Sequence, residues 1–135
     1  MIAVDTSALV AIVFGEPERA AFLRVIERSG AALLGTVSAV EARMVVHGRR
    51  GQRAAILLDE LLGLPPFELV APGADEMEAA SRAFVGFGKG SGHPAALDFG
   101  DVFSSALAKV RDVPLLYKGD DFGHADVASA TASHR

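Results

Sequence analysis

The feature that most restricts this chain is an alternation of short apolar runs with stretches of helical period. Met1–Val4, Ala32–Val37, Phe67–Ala71 and Pro114–Tyr117 are such runs, each of strand length and each followed by polar or turn-forming residues. Between them the apolar residues recur at three and four. Pro17 opens a helical stretch that carries Phe22, Val25 and Ile26 on one face, and Ser29–Gly30 closes it. Ser38 starts a helix that runs to about Arg49, with Gly51 beyond it, and Arg53–Leu62 is helical up to Pro65–Pro66. Asp75–Phe87 places Met77, Ala80, Phe84 and Phe87 on one side. Asp101–Val110 turns Val102, Phe103, Ala106, Leu107 and Val110 toward a core. Lys89–Pro94 is a Gly-rich loop, and the tail from Val127 is a candidate edge strand. Strands alternating with helices predict an α/β fold, a central mainly parallel β-sheet flanked by α-helices. With 135 residues, half of them apolar, the chain is expected to form one domain over residues 1–135 with its own core.

Cysteine is absent, which removes disulfides, a thiol nucleophile and thiolate zinc sites, and fits a reducing compartment. No run approaches the roughly 18 apolar residues of a membrane span, and Met1–Leu9 lacks a basic leader. The expected location is the cytoplasm, with no membrane partner. A formal net charge of −4 is unusual for a nucleic-acid binder, which neutralises phosphate with Lys and Arg. The acidity is reconciled if several carboxylates gather to hold divalent cations where phosphate docks.

In parallel sheets ligands bind beyond the carboxyl ends of the strands. Asp5 follows the first strand, Asp120 and Asp121 follow the fourth, Glu41 lies early in the helix after the second, and Asp98 and Asp101 sit at a helix start. Each has a local explanation. Asp5 and Asp98 suit helix caps, Ser38-x-x-Glu41 reads as a capping box, and Asp120–Asp121 suit a turn after Gly119. Gathered together they mean more, because adjacent carboxylates raise one another's pKa unless a cation keeps them ionised. An all-oxygen donor set selects Mg2+ or Mn2+. The chemistry such a set supports is phosphodiester hydrolysis, with water activated by one ion and the leaving oxygen stabilised by another.

Other chemistries lack their residues. His47, His93, His124 and His134 show no metal-ligand spacing, and Ser104–Ser105 lie outside a Gly-x-Ser-x-Gly elbow. Gly86-x-Gly88-x-Gly90 does not join a strand to a helix as a nucleotide-binding loop must. A phosphate-accepting receiver needs an aspartate after a mid-chain strand, where this chain has the helical Glu41. An aspartate-nucleophile phosphatase needs Asp-x-Asp where this chain has Asp5-Thr6-Ser7.

Four blocks carry a family resemblance. Met-Ile-Ala-Val-Asp5-Thr6-Ser7-Ala-Leu, Ser38-Ala-Val-Glu41, Leu97-Asp98-Phe99-Gly100-Asp101 with Ala106-Leu107-Ala108, and Pro114-Leu-Leu-Tyr-Lys-Gly-Asp-Asp121-Phe122 together resemble PIN-domain toxins of the VapC type. The resemblance implies a PIN fold and a Mg2+- or Mn2+-dependent endoribonuclease, the toxin of a type II toxin–antitoxin pair; a PIN-fold interaction module without catalysis is the alternative. It implies that Asp5, Glu41 and Asp101 are metal ligands and catalytic acids, with Asp121 the fourth. Thr6 and Ser7 would lie beside the site. Asp98 stands where asparagine is expected, and Asp120 where a varied residue is usual, so each is an alternate to its neighbour. Asp101 is preferred because it begins the helix, Asp121 because it precedes Phe122. Lys89 and Lys118 are candidate RNA contacts, with Lys109 a further basic residue, whereas Arg43, Arg49, Arg50 and Arg53 read first as a solvated helix end. The implied partners are an RNA substrate, a cognate antitoxin that lays an apolar segment near the site, and a second copy in a homodimer. The helices around Phe22–Ile26 and Ile56–Leu62 are candidates for those surfaces.

Overall fold

A computed structural model describes residues 1–131, and the side chains of Asp121 and His124 fall outside the description, as does His134. Four parallel strands form one sheet: β1 (Ile2–Val4), β2 (Ala32–Gly35), β3 (Phe67–Val70) and β4 (Leu115–Leu116), in the order β3-β2-β1-β4. Ala3 pairs with Leu33 on one side and Leu115 on the other. The strands are apolar throughout because both faces of a parallel sheet are covered. Ile2, Val4, Ala32, Leu34 and Leu116 face one layer, and Ala3, Leu33 and Leu115 face the other.

The first layer holds α1 (Thr6–Val13), α2 (Arg19–Ser29) and α3 (Thr36–Leu62); the second holds α4 (Ala74–Phe87) and α5 (Phe99–Arg111). On α2, Phe22, Val25 and Ile26 are buried as their spacing predicts, and Gly30 ends the helix at φ 76°. Within α3 the backbone breaks at Gly51 (φ 79°, ψ −167°), which divides it where sequence separates two helices. Strand order reverses beside β1, which pairs with β4 on one side and β2 on the other, so the crevice at a topological switch point opens at the end of β1. No helix among the described residues is long and apolar enough to cross a membrane.

Several elements depart from expectation. The whole of α1 is absent from the sequence reading. Its residues Ala8 to Ile12 are all buried, so no polar stripe marks its period. Helix α3 begins at Thr36 with Gly35 as its cap, not at Ser38, and Ser38 makes no capping box with Glu41. Helix α5 begins at Phe99, so Asp101 is its third residue and Asp98 its cap. On α4 the buried face is Ala80 and Ala83, while Met77 and Phe84 are 59% and 51% exposed. Val110 on α5 is also partly exposed. Among the described residues the tail contributes a single bridge from Ser129 to Leu115 in place of a strand.

Candidate active site

Asp5 stands at the carboxyl end of β1, its backbone N–H donating to Leu116 O at 2.9 Å. It is the cap of α1 and also stands at the switch point of the sheet. Ser7 N donates to Asp5 Oδ2 at 2.9 Å, which caps α1, and Ser104 Oγ donates to Asp5 Oδ1 at 2.5 Å. Only 2% of Asp5 is exposed. Burial pushes its pKa up, because desolvation penalises the charged form more than the Ser104 and Ser7 hydrogen bonds favour it.

Glu41 arrives from the second turn of α3, half-buried beside the same crevice. Its carboxyl is raised first by burial, with the charges of Asp5 and Asp98 adding to the rise. A side chain at position 100 would collide with both Glu41 carboxylate oxygens, so only glycine at this point of α5 leaves them room. Asp101, one residue on, is pushed up to about 8: burial is the main cause, the backbone N–H of Asp98 opposes it, and Asp5 and Asp98 repel it. The two α5 acids share a reciprocal cap, with Asp101 N donating to Asp98 Oδ1 and Asp98 N to Asp101 Oδ2, both at 3.0 Å. Among the described residues no lysine, arginine or histidine forms an ion pair with Asp5, Glu41, Asp98 or Asp101.

Asp5 and Asp98 thus lie near enough for their charges to reach both Glu41 and Asp101. Asp98 is an exposed cap at the margin. Thr6 and Ser7 also belong here: the Thr6 hydroxyl donates to Ser38 O at 3.1 Å, and Ser7 Oγ accepts from Lys118 N at 2.9 Å. Asp120 is exposed and precedes a 3-10 turn at Asp121–His124; the Asp121 side chain lies outside the described residues. The basic candidates separate. The Lys118 ammonium is held by Glu16 Oε1 at 3.1 Å and Glu18 Oε1 at 3.4 Å, so it is engaged within the chain rather than free for phosphate. Lys109 pairs with Asp126, and Arg43 with Asp59. Lys89 is exposed, and its N–H donates to Leu97 O at 2.7 Å, beside the start of α5.

Ser38, Gly100 and Ser104 were not legible as site residues. Ser38 fits a cap pattern, and Ser104 lies in no motif beyond a pair of serines outside a nucleophile elbow. Gly100 did lie inside the third block, and a glycine just before a helical acid is the one signal that pointed there.

A hard cation fits this donor set in kind. The available donors are carboxylate oxygens, those of Asp5, Glu41 and Asp101 buried or half-buried on three separate elements, and the groove at Gly100 that admits Glu41 is one a Cβ would fill. Among the described residues, no three acidic or histidine side chains yet close round a single point that would enclose an ion.

The PIN-domain family model matches residues 2–128. Ribonuclease VapC30 of Mycobacterium tuberculosis is 41% identical over 126 residues, covering 93% of this chain and 95% of the relative. Ribonuclease VapC42 of the same organism is 40% identical over 127 residues, covering 94% and 97%. Among solved structures, M. tuberculosis VapC20, a Sarcin–Ricin loop cleaving toxin, superposes with a TM-score of 0.75 at 20% identity, over 95% of this chain and 97% of that one. VapBC2 from Rickettsia felis, bound to a DNA fragment from its promoter, also gives 0.75, at 13% identity over 96% and 97%. These two share the fold. Acids gathered at the β1 switch point, a family model spanning nearly the whole chain and relatives at 40% identity lead to one assignment: this protein belongs to the PIN-domain family.

Proposed function

We propose that the chain, one PIN domain over residues 1–135, is a divalent-cation-dependent endoribonuclease and the toxin of a type II toxin–antitoxin pair. The observation that carries this is the group of Asp5, Glu41 and Asp101, each raised first by burial, Glu41 and Asp101 also by the charges of Asp5 and Asp98, with no basic side chain among the described residues paired to them. A structural role alone would favour pairing them, since unpaired buried charge is costly. The names of the VapC relatives support the RNA substrate, and solved toxin–antitoxin complexes support the partner.

Asp5, Glu41 and Asp101 would hold Mg2+ or Mn2+, with Asp121 the fourth acid on sequence position. When bound, such an ion lowers the pKa of water and offsets charge developing on the phosphodiester. The chain's own residues prepare the place. Ser7 N–H and Ser104 Oγ orient Asp5, Gly100 admits Glu41, and the Asp98 N–H fixes one oxygen of Asp101. Lys89 remains as the exposed cation by the rim for RNA backbone.

An antitoxin is the partner this reading requires. A groove of about 430 Å³, lined by Leu23, Ile26, Leu61, Leu64 and Phe67, offers it an apolar seat between α2 and the end of α3, and Ile56 and Leu57 are half-exposed nearby on α3. These surfaces also suit a homodimer. Coexpression with the adjacent gene product should yield a copurifying complex.

The decisive experiment is cleavage of a labelled RNA pool with Mg2+, Mn2+ or EDTA, beside Asp5→Asn and Asp101→Asn. Cutting that needs metal and is lost in both variants supports the nuclease and its site. Equal behaviour of wild type and variants would leave an interaction module without catalysis.

A further inference from the structure

The fold holds an internal pair of hydroxyls that the proposed chemistry does not itself require. Ser38 and Ser104 are each 2% exposed. Their Oγ atoms lie 3.1 Å apart, and Ser104 Oγ lies 2.5 Å from Asp5 Oδ1. An ionised carboxylate only accepts, so the single Ser104 proton is committed to Asp5. Ser38 must then be the donor to Ser104. The Thr6 hydroxyl donates to the Ser38 carbonyl, which ties the first turn of α3 to α1.

Register makes this more than local packing. Ser38 stands three residues before Glu41 on α3, and Ser104 three residues after Asp101 on α5. Residues three apart share a helix face. The two helices that deliver Glu41 and Asp101 therefore meet through hydroxyls one turn away, and the meeting point is Asp5. Successive O–H donors in a buried site also polarise one another in the same direction. The neighbouring Ser105 is equally buried, yet its Oγ has no hydrogen-bond partner among the described residues.

We propose that Ser104 is the positioning residue for the Asp5 carboxylate, that Ser38 acts through it, and that this relay sets the spacing of the three acids. The inference rests on the metal-dependent reading above and specifies how that site is held. Removing an outer partner of a ligand typically weakens metal binding by roughly 10–100-fold.

The test is Mn2+ binding to the full chain, followed by the electron paramagnetic resonance of free Mn2+, for wild type, Ser38→Ala, Ser104→Ala, the double variant and Ser105→Ala. Ser104→Ala should weaken binding roughly tenfold or more, Ser38→Ala less, and the double variant no more than Ser104→Ala alone. Ser105→Ala should bind as wild type. With RNA, Ser104→Ala should lower kcat and leave KM in place, since the relay touches no substrate. Wild-type affinity in Ser104→Ala, or losses that multiply in the double variant, overturns the relay. If wild type binds no Mn2+, the metal reading fails by itself. The relay then stands or falls on unfolding of the metal-free protein: Ser104→Ala should cost stability in wild type and much less in an Asp5→Asn background. Equal cost in both backgrounds overturns it.

Discussion

Gly100 shows how one missing atom shapes the site. In a helix, glycine gives up about 1 kcal/mol relative to alanine, and here the space it leaves is filled by the Glu41 carboxylate. Gly100→Ala therefore has opposed effects. The added methyl meets the flexible end of Glu41, which can swing away, so stability in urea should hold or rise by up to about 1 kcal/mol. RNA cleavage should fall by about a hundredfold, the scale at which a displacement near 1 Å costs catalysis. Equal activity would show that Glu41 is not needed where it stands. At this scale the acids were legible and their supports were not. Asp5, Glu41 and Asp101 announce themselves by charge at strand ends and helix starts. Ser38, Ser104 and Gly100 acquire their roles only from neighbours distant in sequence, as the 99-residue separation of Ser104 from Asp5 makes plain.

Among the elements, legibility followed how strongly each one is patterned. Helix α2 buries one stripe and was readable from its spacing; α1 is buried along most of its length and was not. The same principle misled on α4, where the larger apolar residues Met77 and Phe84 face outward and the alanines pack inward. Gly51 is the exception, a break visible in both sequence and structure. Its φ and ψ fall in a region that is essentially reserved for glycine, and a Cβ there would meet nothing within 4 Å. Gly51→Ala should thus cost about 1–3 kcal/mol through backbone strain alone, read as a lower urea midpoint. Because the strain is remote from the acids, kcat per folded molecule should stay unchanged.

For the whole molecule, the gathered acids link stability to pH. The Asp101 carboxyl is raised from 3.8 to about 8, so between these values the folded chain binds a proton that the unfolded chain releases. That contribution is complete below the lower value and is lost as pH climbs through the upper one. Without divalent cations, the melting temperature should fall from pH 5 to pH 8. Asp101→Asn should flatten that decline, and Mn2+ added at pH 8 should raise the melting temperature of wild type, because a ligand of the native state stabilises it. Scanning calorimetry across pH, with and without Mn2+, reads all three. The parallel sheet and its two layers are legible from alternation alone, as is the strand edge at which the acids gather. Strand order is not, because four apolar runs can be arranged in many ways.

That order has a consequence for synthesis on the ribosome. The strand made first, β1, lies between β2 and β4, and β4 is made last. Until residue 116 has emerged, one side of β1 has no strand partner, and Leu116 O is not yet there to receive the Asp5 N–H. Helix α5, which brings Gly100, Asp101 and Ser104, is made only shortly before. A nascent chain thus exposes an unpaired strand edge until β4 is available, and its acids can come together only after α5 has emerged.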